Sequence, residues 1–249
     1  MISNTHDAPL LRLAGVGKIY GRTAALSDVD IEIRKNEVLG LLGDNGAGKS
    51  TLIKILSGVL PRSSGTFEAG GHPADIRSRH DSAALGIETI YQDIALVGPM
   101  PIWRNMFLAR ELCSRLGFLR CAEMRRTTIE ILHRGVEISG VDDPDAEVAS
   151  LSGGQMQAVA IARAVHFRSK MLLLDEPTSA LSVRETENVL KYMVDLRDEG
   201  VSSVFVTHNL YHAFQVCDRF VVMSHGRKVA DVAKKDTSIE ALTRLIVAH

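Results

Sequence analysis

Residues Gly43-Asp44-Asn45-Gly46-Ala47-Gly48-Lys49-Ser50-Thr51 fit the pattern GxxxxGK[ST] and follow directly on an apolar run, Val38-Leu39-Gly40-Leu41-Leu42. A strand that enters a glycine-rich turn and leaves it as a helix is the context this pattern needs, so the nonapeptide predicts an α/β unit around itself. Gly43, Gly46 and Gly48 let the backbone form a concave nest of N–H groups at the positive end of a helix dipole, which suits a polyphosphate. In a nucleoside triphosphate complex Lys49 would place a point charge between the β- and γ-phosphates. The Ser50 hydroxyl is a candidate Mg2+ ligand, and Thr51 would support the α-phosphate side. The plainer reading, a glycine-rich turn before a helix, does not account for the strand that precedes it.

With 249 residues, 45% hydrophobic content and a formal charge of −1, the chain reads as one soluble globular unit with no overall bias toward nucleic acid. Cys113, Cys121 and Cys217 have no metal-type spacing and are expected as reduced thiols. No apolar run approaches the roughly 20 residues of a membrane span. The segment Met1 to Asp7 lacks the basic and apolar regions of a signal peptide, so a membrane role would come through a partner.

Short aliphatic runs at Val38 to Leu42, Met171 to Leu174 and Ser203 to Val206 suit strands buried on both faces of a parallel sheet. Leu210, Ala213, Phe214 and Cys217 recur at helical spacing. Val189, Leu190, Met193 and Val194 trace one face of a helix ending near Gly200. Leu10 to Glu37 and Gly65 to Gln92, the latter with a strand at Ile87 to Tyr91, predict an antiparallel side sheet. From Asp93 to Ala149 the pattern is helical, with Ile129, Leu132 and Val136 on one stripe. The expected organisation is therefore a nucleotide-binding core with its side sheet over residues 10–92 and 150–249, and a helical subdomain over 93–149. Trp103, with Met100, Met106 and Phe107 nearby, reads either as core or as a partner surface. Arg120, Arg125 and Arg126 read as a solvated face.

Leu151-Ser152-Gly153-Gly154-Gln155 opens a helix over Met156 to Val165 and makes a second helix start that seeks an anion. One chain does not need both helix starts on one phosphate. The economical geometry is a head-to-tail dimer, each nucleotide lying between one subunit's phosphate loop and the other's Ser152, Gly153 and Gly154. This pentapeptide resembles the signature of ATP-binding cassette (ABC) proteins, and the resemblance extends from about Leu10 to Gly226.

The resemblance implies a P-loop NTPase (RecA-like) fold, with a parallel-sheet core, an antiparallel β side sheet and an inserted α-helical subdomain. It also implies ATP hydrolysis with Mg2+. Met171-Leu172-Leu173-Leu174-Asp175-Glu176 is similar to the family's Walker B strand, with Asp175 toward Mg2+ and Glu176 as general base for water. His208 resembles the switch histidine at the γ-phosphate. A zinc reading of His208 and His212 lacks the carboxylate of HExxH, because Asn209 follows His208. Gln92 resembles the Q-loop glutamine, a Mg2+ ligand through its amide oxygen. Tyr20 matches the aromatic that stacks on adenine, and Gln155 completes the signature. Ser179-Ala180-Leu181-Ser182 occupies the place of the D-loop, with Ser182 where the family usually has Asp, which leaves the coupling between the two sites open.

Tyr91-Gln92-Asp93-Ile94-Ala95-Leu96 and Asn105-Met106-Phe107-Leu108-Ala109-Arg110-Glu111 resemble bacterial monosaccharide importers of the ribose, xylose and fructose type, with Ala109 in place of a Gly. The implied partners are a second copy of the chain or another cassette, an integral membrane permease and, indirectly, a periplasmic or extracellular sugar-binding protein. No direct nucleic-acid contact is expected. The implied place is peripheral, on the cytoplasmic face of the bacterial inner membrane. Other transport cargoes, and a soluble cassette ATPase acting on nucleic acid or ribosomes, are the alternatives.

Overall fold

The computed structural model describes residues 8–92, 95–135, 141–167, 169–179 and 181–248. The segment Met1 to Asp7, Asp93, Ile94, Val136 and Ala180, on which expectations were placed, lie outside them. The chain divides into two compact units. The first comprises Met1–Thr89, Ser169–Glu176 and Met193–His249, and the second Ile90–Arg168 and Pro177–Tyr192. The second takes in more chain than the expected insert.

In chain order the elements are β1 (Leu11–Tyr20), β2 (Thr23–Ile33), β3 (Val38–Leu42), α1 (Lys49–Leu56), β4 (Ser64–Ala69), β5 (His72–Ala74), α2 (Arg79–Ala84) and β6 (Ile87–Ile90). They continue as α3 (Ile102–Met106), α4 (Cys121–Gly135), α5 (Gly153–His166), β7 (Met171–Asp175), α6 (Val183–Asp198), β8 (Ser202–Val206), α7 (Leu210–Val216), β9 (Arg219–Ser224), β10 (Arg227–Ala233) and α8 (Ile239–Val247).

The first unit carries two sheets. One has four strands in the order β2-β1-β4-β5, and its strand pairs are antiparallel. Buried Leu11 and Leu13 alternate with exposed Arg12 in β1, as a sheet with one wet face requires. The other has six strands in the order β10-β9-β3-β8-β7-β6. Here β3 runs parallel to both β8 and β9, and β7 parallel to β8. Every residue of β3 and β8 is buried, which is why their sequences read as unbroken apolar runs. Leu13 and Phe67 of the side sheet, Leu52 and Ile53 of α1, and Leu39, Leu41 and Val204 of the central sheet join in one core.

The strand at Ile87 to Tyr91 corrects one expectation. It belongs to the six-stranded sheet, not the antiparallel side sheet, and ends at Ile90. Ile87 and Ile90 are buried, and the Gly86 carbonyl just before the strand accepts the Lys170 and Met171 N–H groups at the start of β7.

A buried ionic cluster fixes the lower end of β3. Arg219 is 5% exposed; its guanidinium donates to Glu37 at 2.8 Å, to Asp231 at 2.6 Å and to the Glu32 carbonyl. Glu37 also accepts the Arg34 N–H at 2.6 Å, while Asp218 accepts the Val38 N–H at 2.8 Å and an Arg197 N–H at 2.9 Å. Paired in this way, the charges hold the strand whose upper end becomes the phosphate loop.

The second unit packs Ile102, Trp103, Met106 and Phe107 of α3 and its end against Met124 and Leu132 of α4 and Ala158 and Val159 of α5. Trp103 is therefore core, with its indole N–H on Asp145 at 2.9 Å. Asn105 is fully buried because its side chain closes the preceding loop, accepting from Val97 N–H at 2.7 Å and donating to the Val97 and Met100 carbonyls at 3.0 Å. Ala109 has φ +62°, in the left-handed region. Arg120, Arg125 and Arg126 pair with Glu123, Asp145 and Glu130, consistent with a solvated face. Among the described residues no helix is long and apolar enough to cross a membrane, and no cluster of His, Cys, Asp and Glu could hold a metal alone.

Candidate functional site

The phosphate loop leaves β3 at Gly43, whose φ is +144°, and a Cβ there would stand 2.2 Å from the Met223 carbonyl oxygen. Only glycine lets the strand turn this close to β9. The loop closes on itself through the Ala47 N–H to Asp44 carbonyl bond at 3.1 Å, and Gly226 N–H reaches the Ala47 carbonyl at 3.1 Å. Gly48 is the N-cap of α1 and supplies no side-chain cap, so the first turn of the helix keeps donors for an incoming anion.

Lys49 lies back over the loop, its ammonium donating to the Gly43 carbonyl at 2.7 Å and the Asp44 carbonyl at 2.9 Å. Burial lowers its pKa, while the charges of Glu176, Asp44 and Asp175 work in the opposite direction. At the tip of β7 burial raises the Asp175 pKa, with Glu176 adding to the rise and Lys49 opposing it. Two carboxylates and one ammonium thus share a partly desolvated space.

Glu176 has φ +51°, a left-handed turn out of β7, and its N–H bonds the Val206 carbonyl of β8 at 3.0 Å. Its carboxylate lies 3.1 Å from His208 Nδ1. β7 and β8 are parallel neighbours, so residues just past their C-terminal ends meet although 32 positions separate them. Backbone strain at a carboxylate held against an imidazole is the kind of local cost found at working sites.

A cleft of about 450 Å³ collects these groups: Asn45, Gly46, Ala47, Gly48, Lys49, Ser50 and Thr51 from the loop, Asp175 and Glu176 from β7, and Val206. Thr23, Ala24 and Ala25 of β2, with His225 and Gly226 of the β9–β10 turn, complete its wall. These last five were not singled out in the sequence, because nothing local marks them. A loop rich in backbone donors with one lysine and one hydroxyl fits a polyphosphate. The exposed Ser50 hydroxyl and the Asp175 carboxylate are hard oxygen donors of the sort Mg2+ takes. Asp44 and Asn45 are exposed, Asp44 accepting the Asn45 N–H at 2.7 Å.

Other expected residues are not among those that line the cleft. Tyr20 ends β1, 48% exposed, with the Lys18 ammonium 5.4 Å from its ring centre, and does not line the cleft. Gln92 is exposed just after β6 and belongs to the second unit. In that unit Ser152 caps α5, which begins at Gly153, three residues before the expected helix start at Met156. The cap is reciprocal: Gln155 N–H donates to Ser152 Oγ at 3.3 Å, and Ser152 N–H donates to Gln155 Oε1 at 2.9 Å. The glutamine of the pentapeptide is thus part of the cap. His212 is half-buried and shares a 3.1 Å contact with Asn209, the N-cap of α7.

A family model described as ABC transporter matches residues 26–179. The xylose/arabinose import ATP-binding protein of Sulfolobus acidocaldarius is 43% identical over 239 residues, covering 96% of this chain and 94% of its own. A ribose import ATP-binding protein of Burkholderia ambifaria is 39% identical over 96% of this chain, which spans 47% of that relative's length. Among solved structures, a dimeric post-hydrolysis ATP-binding cassette bound to ADP and Pi superposes with a TM-score of 0.75 at 24% identity, over 91% of this chain and 100% of the other. That likeness concerns the fold.

Proposed function

This chain belongs to the ABC transporter family, and we propose that it is the ATP-hydrolysing, energy-coupling subunit of an importer whose cargo is a monosaccharide. The observation that carries the ATPase reading is the gathering of Lys49, Ser50, Asp175 and Glu176 in one cleft, with His208 on the Glu176 carboxylate. The cargo class is supported by the relatives, whose names specify import of xylose/arabinose, ribose or fructose.

Bound MgATP supplies the phosphoanhydride whose cleavage drives the cycle, and the metal offsets its charge. Lys49 and the loop amides from Gly43 to Thr51, with the exposed Asp44 and Asn45 at the rim, bind the polyphosphate. Ser50 and Asp175 would hold Mg2+, and the family resemblance implies that Gln92 would add its amide oxygen. Glu176 accepts a proton from the attacking water, and His208 Nδ1 orients that carboxylate while the rest of the ring faces solvent. Tyr20 offers an exposed face to adenine, worth about 1–3 kcal/mol if it stacks. Ser152, Gly153, Gly154 and Gln155 complete the other subunit's site in a head-to-tail dimer.

Transport then follows from a ligand that binds the closed pair better than the open one. The helical stretch 93–149 receives an integral membrane permease, which places the chain peripherally on the cytoplasmic face of the membrane. A sugar-binding protein outside delivers the cargo. Steady-state ATP hydrolysis tests the enzymatic core: Glu176→Gln should bind ATP as the wild type does and lose about 10² to 10⁴-fold in turnover. Turnover at the wild-type rate would remove Glu176 as the base. Co-purification with the permease from membranes, and ATP-dependent monosaccharide uptake by the reconstituted complex, test the transport role. Uptake of another solute class alone would refute the cargo assignment.

A further inference from the structure

Glu185 bridges two helix starts in the second unit. Toward its own helix it makes a cap with Ser182, whose N–H and hydroxyl donate to Glu185 Oε2 at 3.0 and 2.8 Å; the Glu185 N–H lies 3.4 Å from Ser182 Oγ. Its other carboxylate oxygen accepts the Gly154 N–H of α5 at 3.1 Å, across 31 residues of sequence. The Ser152 side chain is the largest of the influences that lower the Glu185 pKa. The fit is close: a Cβ on Gly154 would stand 2.6 Å from Glu185 Cβ and Cγ. Glu185 therefore sits as an anion at the head of α5, where helix polarity favours negative charge.

Ser152 and Gly154 are the donors assigned above to the partner's nucleotide, and this inference rests on that assignment. Each has a single proton to give, so a bond to Glu185 excludes a bond to phosphate from the same group. A carboxylate left in place would also repel the arriving polyphosphate. We propose that Glu185 is a latch, an internal carboxylate standing in for the partner's phosphate, and that it must release Ser152 and Gly154 before two chains close on ATP. The released carboxylate keeps its Ser182 cap, so the start of α6 registers whether α5 holds phosphate or not. Ser182 belongs to this arrangement. An aspartate there would set a second negative charge at the position from which the serine hydroxyl now donates to Glu185.

The test is the dimer dissociation constant in saturating MgATP, by analytical ultracentrifugation in the hydrolysis-deficient Glu176→Gln chain. Glu185→Ala and Glu185→Gln should each tighten the dimer; the glutamine variant keeps an amide oxygen for the α6 cap and guards against misfolding. Ser182→Asp, itself a good helix cap, should tighten it by expelling Glu185. Losing charge-assisted bonds at both sites of a symmetric pair predicts about tenfold per site, about a hundredfold in the dimer constant. ATP affinity of the dilute monomer, read with a fluorescent nucleotide, should stay within about twofold, since the first unit's cleft is untouched. A parent chain that dimerises while the folded variants dimerise equally or more weakly would overturn the latch alone. If neither parent nor variants dimerise although all bind ATP, the in-trans assignment fails and the latch with it. Dimerisation of the variants but not the parent would support both.

Discussion

Gly43→Ala and Gly46→Ala alter the same loop by the same methyl group, and the structure separates their effects. At Gly46, with φ +80°, an added Cβ meets nothing within 4 Å, so the cost is backbone strain alone, about 1–2 kcal/mol. At Gly43 the Cβ would lie 2.2 Å from the Met223 carbonyl oxygen, 3.2 Å from the Met223 carbonyl carbon and 3.1 Å from Ala47 Cβ. Relief requires the loop or β9 to move by about an ångström, and neither can yield as a flexible side chain would. Overpacking adds about 1–3 kcal/mol to a backbone conformation reserved for glycine, for a total of about 3–5 kcal/mol. At about 2–4 °C per kcal/mol for a chain of this size, Gly43→Ala should lower Tm by about 6–20 °C and Gly46→Ala by about 2–8 °C. Differential scanning calorimetry at pH 7 measures both. ATP affinity by isothermal titration should fall further for Gly43→Ala, because the nest itself is displaced. Equal Tm losses, or a Gly43→Ala chain within about 2 °C of wild type, would refute the claim that approach to β9 dictates glycine there.

Arg219→Ala leaves Glu37 buried without its guanidinium and should cost about 3–5 kcal/mol in urea unfolding, whereas Arg12→Ala, which removes a half-exposed pair with Glu32 at 3.5 Å, should cost under about 1 kcal/mol. Ala109→Gly relieves a left-handed alanine and should stabilise by about 1 kcal/mol in the same assay. Glu185, whose pKa is lowered from 4.5 to about 2 by bonds from Ser152, Ser182 and Gly154, contributes stability present above its ordinary pKa and lost as pH falls toward 2. The stability gap between wild type and Glu185→Gln should therefore be widest above pH 4.5 and narrow below it. Asp175 behaves in the opposite sense. Its pKa is raised, so ionisation works against folding, and Asp175→Asn should raise Tm at neutral pH while losing Mg2+-dependent ATP binding, with the gain shrinking in acid.

What the sequence made legible was local. The phosphate loop, β3, β7 and β8 could be read because strand, turn and helix are adjacent in the chain and their apolar runs are continuous. The sheet position of Ile87 to Ile90 could not, since pairing is decided by which edge is open, not by the strand's own residues. β9, β10 and α8 went unread: Arg219 at the head of Phe220-Val221-Val222-Met223 looks like a surface charge until Glu37, 182 residues away, is seen to bury it. Glu176 and His208 were matched only through family resemblance, and their contact comes from the parallel register of β7 and β8. Ser182-Val183-Arg184-Glu185 carries the spacing of a helix cap, yet no local pattern shows that the same carboxylate reaches Gly154.

The most direct test of the account is whether ATP joins two chains through the head of α5. Light scattering of the Glu176→Gln chain should show monomer without nucleotide and dimer with MgATP. The same chain carrying Ser152→Arg should bind ATP and remain monomeric. Dimerisation of the Ser152→Arg chain at the same ATP and protein concentrations would contradict the account, since the second helix start would then have no part in the closed pair.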